Sequence, residues 1–88
     1  MDKRLSEDEL SEIEGRVRAA SPGPWKSHIE GRDHTSGSNI IITGTGEGIE
    51  PIGATIADQD FIAAARQDVP RLLEVVRVLR SLLLQRTK

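Results

Sequence analysis

Apolar residues recur at three- and four-residue spacing near both ends of the chain. Between them they fall into a short β-branched run and a stretch of alternation, so the pattern predicts helix, strands, helix. Ser6 and Glu9 have capping-box spacing, and Leu5 and Leu10 flank that cap as a hydrophobic staple. Leu10, Ile13 and Val17 follow at helical spacing, supported by the i,i+4 pairs Glu12–Arg16 and Glu14–Arg18, which predicts a first helix over residues 7–19 with Gly15 as its weak point. Ser21-Pro22-Gly23-Pro24 ends it in a rigid turn, and Trp25 opens a strand over residues 25–29. Residues 30–38 read as a polar loop, and Asn39-Ile40-Ile41-Ile42-Thr43 is the strongest strand signal in the chain. Gly44–Gly48 reads as a hairpin turn, and the alternation of Ile52, Ala54 and Ile56 predicts a third strand over residues 52–57. Asp58 is placed as the N-cap of a helix over 59–67 with Phe61, Ile62 and Ala65 inward; Asp68 and Pro70 suit the start of a last helix over 69–85.

The connections between the strands are short, which favours an antiparallel meander. The predicted fold is therefore α+β, a three-stranded antiparallel sheet packed with an N-terminal helix and two C-terminal helices, in the order α-β-β-β-α-α. The last helix is more apolar than one buried face requires. Val69, Leu72, Leu73, Val76, Leu79, Leu83 and Leu84 form a broad stripe, and Val75, Val78 and Leu82 form a second row beside it. Only Glu74, Arg77, Ser81 and Gln85 remain as a polar strip, and Arg80 falls inside the main stripe, where it needs a partner or a route to solvent. Such a helix must be covered on two sides. Either the sheet covers one side and the first helix the other, or Val75, Val78 and Leu82 are the seam of a homodimer.

Length and composition add limits. A chain of 88 residues has room for one small domain over 1–88, with residues 1–5 and 86–88 expected to fray and with a modest core that a partner chain could complete. The absence of Cys removes disulfides and thiolate metal sites and suits a reducing compartment. The formal net charge is −2, but the last 23 residues, 66–88, carry six basic and two acidic side chains while the rest of the chain is acidic. No signal-peptide core follows Met1, and no apolar run approaches the roughly 20 residues that span a bilayer. The expectation is a cytoplasmic protein with no membrane association.

No cluster of reactive side chains stands out. His28 and His34, with Glu30 and Asp33 nearby, lie on a strand end and a loop without ligand spacing, so no metal site is expected. Gly44-Thr45-Gly46-Glu47-Gly48 lacks the Lys-Ser/Thr of a phosphate loop, precedes a strand rather than a helix, and carries a glutamate. The serines and threonines sit in no nucleophile elbow, so catalytic residues, cofactor-binding residues and cofactors are all expected to be none. Arg66, Arg71, Arg77, Arg80, Arg86 and Lys88 do not share one helix face and lack interleaved aromatics, which disfavours nucleic acid; they suit the helix dipole or the acidic first helix equally well. Trp25, the sole Trp, reads as a core residue or, together with His28, as the lining of a small-ligand pocket.

Two stretches resemble a known group. Ser21-Pro22-Gly23-Pro24-Trp25 resembles the T/S-P-G-P-W turn of short actinobacterial, phage and prophage-associated proteins. The segment from Ala57 to Leu73 resembles their ending, (N/D)-A-x-F-I-A-x-A-R-x-D-V-P-x-L-L, which the Ead-like phage accessory proteins share. The likeness covers the turn and the last third of the chain, departs at Gln59, and does not extend to residues 26–56. It implies a phage or mobile-element setting and carries no activity with it. The functional expectation is a non-catalytic accessory protein that forms a homodimer and binds a protein partner, with a host protein as one candidate. The alternatives are a small-ligand binder around Trp25 and His28, and a weak nucleic-acid binder through the basic last helix.

Overall fold

The computed structural model of the protein describes residues 4–35 and 37–86. Among these, the elements in chain order are α1 (Glu7–Ala19), β1 (Lys26–His28), β2 (Ile40–Ile42), β3 (Gly48–Ile49) and α2 (Ile56–Arg86). This is the mixed α+β order expected from the sequence, with an open antiparallel sheet in the spatial order β1-β2-β3. The backbone forms two compact units. The chain ends, up to Ala20 and from Val69, make the first, and Ser21–Asp68 makes the second. α2 contributes residues to both. Of the ends expected to fray, residues 1–3 and 87–88 lie outside the described residues; the Leu5 carbonyl accepts from Arg80, and α2 ends at Arg86.

In the first unit α1 begins as its sequence predicts. The Ser6 hydroxyl accepts from the Glu9 N–H at 3.0 Å while the Glu9 carboxylate accepts from the Ser6 N–H at 2.9 Å, so two otherwise orphaned donors satisfy each other's residues. The buried apolar side chains of this unit are Leu10, with no exposed surface, and Leu73.

In the second unit β1 and β2 pair Lys26 with Ile42, Ser27 with Ile41 and His28 with Ile40, and β2 and β3 pair Ile41 with Ile49 and Ile42 with Gly48. Strand alternation puts Ser27, Ile41 and Ile49 on one face and Lys26, His28, Ile40 and Ile42 on the other. The hairpin from β2 to β3 is tied by the Thr43 N–H to the Glu47 carbonyl and the Gly46 N–H to the Thr43 carbonyl, both at 2.9 Å, with Gly46 at a φ of 88°. A positive φ at the end of a three-residue loop is the reason for glycine there. Ile29, Ile41, Thr43, Gln59 and Ala63 are the buried residues of this unit.

Three sequence expectations change. The third strand lies at Gly48–Ile49, not at 52–57, because the tight hairpin brings those residues against β2 at once. The chain then turns, with the Ile52 N–H on the Glu50 carbonyl and the Ala54 N–H on the Pro51 carbonyl, and Ile52 is left 92% exposed. Asp58 is not the N-cap of the following helix but its capping-box partner. Thr55 Oγ1 accepts from the Asp58 N–H and Asp58 Oδ2 accepts from the Thr55 N–H, both at 3.0 Å, so the helix starts at Ile56. Finally, the two C-terminal helices are one helix of 31 residues with Pro70 inside it. Pro70 cannot donate to the Arg66 carbonyl. The stretch before it nevertheless holds no residue that turns the chain, and helical propensity on both sides carries the backbone across the missing bond.

Candidate functional site

The second unit holds a polar network built on α2 and the sheet. Gln59 is 1% exposed, and its amide nitrogen lies 3.1 Å from Ser27 Oγ, 3.2 Å from the His28 carbonyl and 3.1 Å from the Ile40 carbonyl. One side chain of the helix thus holds the paired ends of β1 and β2. Beside it, Arg32 forms a bidentate pair with Asp60 at 2.8 and 3.1 Å and also reaches Asp33 at 2.8 Å. The Arg32 guanidinium, and after it the Ser27 hydroxyl, hold the Asp60 carboxyl down to about 2. Arg32, and then the Ile29 N–H, likewise lower that of Asp33. Carboxylates held ionised in this way accept hydrogen bonds at neutral pH and do not serve as proton donors. The Asp33 carboxylate closes the loop after β1 by accepting from the Ile29 N–H at 2.8 Å.

His28 and His34 meet edge to face with ring centroids 6.1 Å apart. His34 Nε2 is buried and has no hydrogen-bond partner. Among the described residues, no group of three or more His, Asp or Glu side chains is placed to hold a metal ion.

Trp25, half-buried, has its polar groups engaged within its own unit. Its ring N–H donates to the Ser21 carbonyl at 3.1 Å. The Gln67 amide brackets its backbone, accepting from the Trp25 N–H at 2.8 Å and donating to the Trp25 carbonyl at 3.2 Å. Arg66 donates to the Ser21 carbonyl at 2.8 Å. The turn Ser21–Trp25 and the helical segment around Arg66 and Gln67, the two stretches that carry the sequence resemblance, are therefore bonded to each other. Gly44 completes this corner. Its N–H donates to the Pro22 carbonyl at 2.8 Å, and a Cβ there would meet the carbonyl oxygens of Pro22 and Gly23. Within β1, alternation places His28 on the opposite face from Ser27, so the side that Trp25 continues is not the side His28 occupies.

The first unit is arranged the other way round. Arg77 makes a bidentate pair with Glu14 at 2.8 and 3.0 Å and reaches Glu7 at 2.9 Å; Arg80 reaches Glu7 at 3.1 Å. Arg77 is the main cause lowering the carboxyls of both Glu7 and Glu14, with Arg80 adding to the effect on Glu7. Of the polar strip, Arg77 meets Glu7 and Glu14 of α1, and Arg80 finds its partners in Glu7 and the Leu5 carbonyl. Leu73 of the apolar stripe is buried, but much of the apolar surface is left outside. Val75, Val78 and Leu82 are 48–53% exposed, Leu79 is 55% exposed, and Leu72 and Leu83 are each 62% exposed. The expectation that the sheet and the first helix would cover both sides of this helix does not hold for these residues.

Several signals were missed at the sequence level. Gln59 stood out only as a departure from the resembling motif, and the Arg77–Glu7–Glu14 pairing was present only as opposite charge on two helices. No described helix is long and apolar enough to cross a membrane. Comparison with protein-family models, with curated proteins and with solved structures finds no match for this chain.

Proposed function

We propose that this chain is a non-catalytic accessory protein, of phage or prophage type, that acts by binding a protein through the apolar face of α2. One observation carries the reading. In the first unit Arg77 and Arg80 spend their charge on α1, while a ridge of Leu and Val side chains half a turn away is exposed. Contiguous exposed apolar surface of this kind is a mark of protein contact. The network around Gln59, Asp60 and Arg32 supports a structural role, since its carboxylates are ionised and already paired. Arg66, Arg77 and Arg80 are hydrogen-bonded within the chain, which favours a protein-binding over a phosphate-binding reading.

Replacing Leu79 by a benzophenone amino acid in the full chain, produced in its native cell, tests this reading. Irradiation should yield a covalent adduct with another polypeptide, of whatever identity, whereas the same group at Ser81, on a different side of the helix, should yield little. No protein adduct from position 79 at any cell density would end the proposal.

A further inference from the structure

The exposed ridge follows a strict three-four spacing, Leu72, Val75, Leu79, Leu82, with Val78 and Leu83 flanking it. That is the seam pattern of helices that pack nearly parallel or antiparallel along their length. At 100° per residue the ridge lies about 180° from Arg77, so the contact with α1 leaves it whole. Seam spacing alone does not say what occupies it. The residues that end the ridge do.

Continuing the same spacing toward the N-terminus reaches Asp68, and continuing it toward the C-terminus reaches Arg86, both exposed and both on α2. The ridge is a palindrome centred on Arg77: an acid, apolar positions, then a base, at equal distances from the centre. A second copy laid antiparallel about that centre sets Leu72 against the partner's Leu82, and Val75 against the partner's Leu79. It also sets Asp68 against the partner's Arg86 at both ends of the seam. A parallel copy would instead bring two Asp68 carboxylates together at one end and two Arg86 guanidinium groups at the other. It would also align the two helix dipoles unfavourably. A two-fold interface requires a self-complementary surface, and this helix face has that property in shape and in charge. An unrelated partner would have no need of it.

The extent agrees. Six Leu and Val side chains, each 48–62% exposed, present on the order of 500 Å² of apolar surface. One side of a standard interface buries about 800 Å², of which about 65% is apolar in homodimers.

We infer that the occupant of the α2 ridge is a second copy of this chain, packed antiparallel through Leu72, Val75, Leu79 and Leu82 and closed at each end by Asp68 and the partner's Arg86. This rests on the reading that the ridge is a protein-binding surface and names the partner. The partner contributes the charge that completes each end of the seam.

Sedimentation equilibrium of the full chain, with charge reversals at the two exposed ends, tests the inference. The native chain should sediment at twice its 9.6 kDa mass at micromolar concentration. Asp68→Arg and Arg86→Asp should each raise the dimer dissociation constant by about tenfold, since each sets like charges face to face at both ends. The double variant D68R/R86D should return it to within about threefold of the native value. Circular dichroism of each variant should be unchanged, because neither residue belongs to the pairs that hold α1. A native chain that is monomeric at high micromolar concentration, or a double variant no tighter than its parents, overturns the inference. An adduct of position 79 with a different protein, together with a monomeric native chain, sinks the second copy but leaves the protein-binding reading standing.

Discussion

In the unit formed by Ser21–Asp68 a polar side chain sits at the centre. Gln59 is buried, and its amide bonds tie two strands to the helix that carries it. In the unit formed by α1 and the later part of α2, Leu10 and Leu73 are buried, Arg77 and Arg80 pair with Glu7 and Glu14, and a row of Leu and Val side chains stays exposed. The first arrangement completes itself, because every donor of its hub finds an acceptor in the same unit. The second does not, because exposed ion pairs contribute little, while the Leu and Val ridge leaves apolar surface in water. A unit whose charges are paired internally leaves this row of leucines and valines without cover from its own residues.

The sharpest way to break this contrast is to compare a buried with an exposed leucine. Leu10→Ala, at a fully buried position, should cost about 3 kcal/mol in urea unfolding. Leu79→Ala, measured at concentrations where the chain is monomeric, should cost about 0.5 kcal/mol or less. Equal losses at the two positions would mean that the ridge is covered within the chain. Next in size, Gln59→Leu should cost about 2 kcal/mol by leaving the carbonyls of His28 and Ile40 without their donor. A neutral result would strip the second unit of its polar centre.

Gly44→Ala should follow, at about 1–2 kcal/mol, because the added Cβ meets backbone oxygens of Pro22 and Gly23 that have no side-chain freedom to yield. A melting temperature within a degree of the native value would show that this corner can open without loss.

The smallest effect should be the acid response. Glu7 and Glu14 titrate below the ordinary glutamate range in the folded state, so the folded chain binds these protons more weakly than the unfolded chain does. Stability from these pairs is therefore complete above the unfolded carboxylate pKa and is lost as pH falls through the depressed folded values. Asp60 behaves alike, over the window from 3.8 down to about 2. In a far-UV dichroism titration, E7Q/E14Q should remove the part of the acid-induced loss that belongs to α1 and leave the part that depends on Asp60. A native chain whose stability falls between pH 7 and 5 would contradict the assignment.

Much of the fold was legible in short stretches of chain. Ser6 and Glu9 announce the start of α1 because a capping box needs only residues three apart. Ile40–Ile42 announces a strand because β-branched side chains restrict the backbone that bears them. The hairpin at Thr43–Glu47 follows from its glycines. Errors arose where a local signal had a competitor outside its window. Ile52, Ala54 and Ile56 alternate as a strand should, but a strand needs a neighbour, and β2 had already been taken by Gly48–Ile49. Asp68 and Pro70 look like the start of a helix, and nothing nearby shows that the preceding turn is already helical and will run on. The candidate surface was only half legible. The excess of apolar residues on α2 could be counted, and Val75, Val78 and Leu82 were among those exposed, but which side α1 would take could not be read.

By itself, then, the order of residues determined where α1 begins, where the Ile-rich strand lies, and that the C-terminal helix has more apolar surface than one neighbour can use. Those are properties of the chain within a few residues of each position. The tertiary structure alone decided that Gln59 becomes a buried hub, that the turn at Ser21–Trp25 docks on Arg66 and Gln67, and that Arg77 meets Glu7 and Glu14. Each of these depends on groups brought together from 19 to 70 positions apart. A helical wheel fixes which side chains share a face. It contains no information about which face a distant, oppositely charged helix will choose.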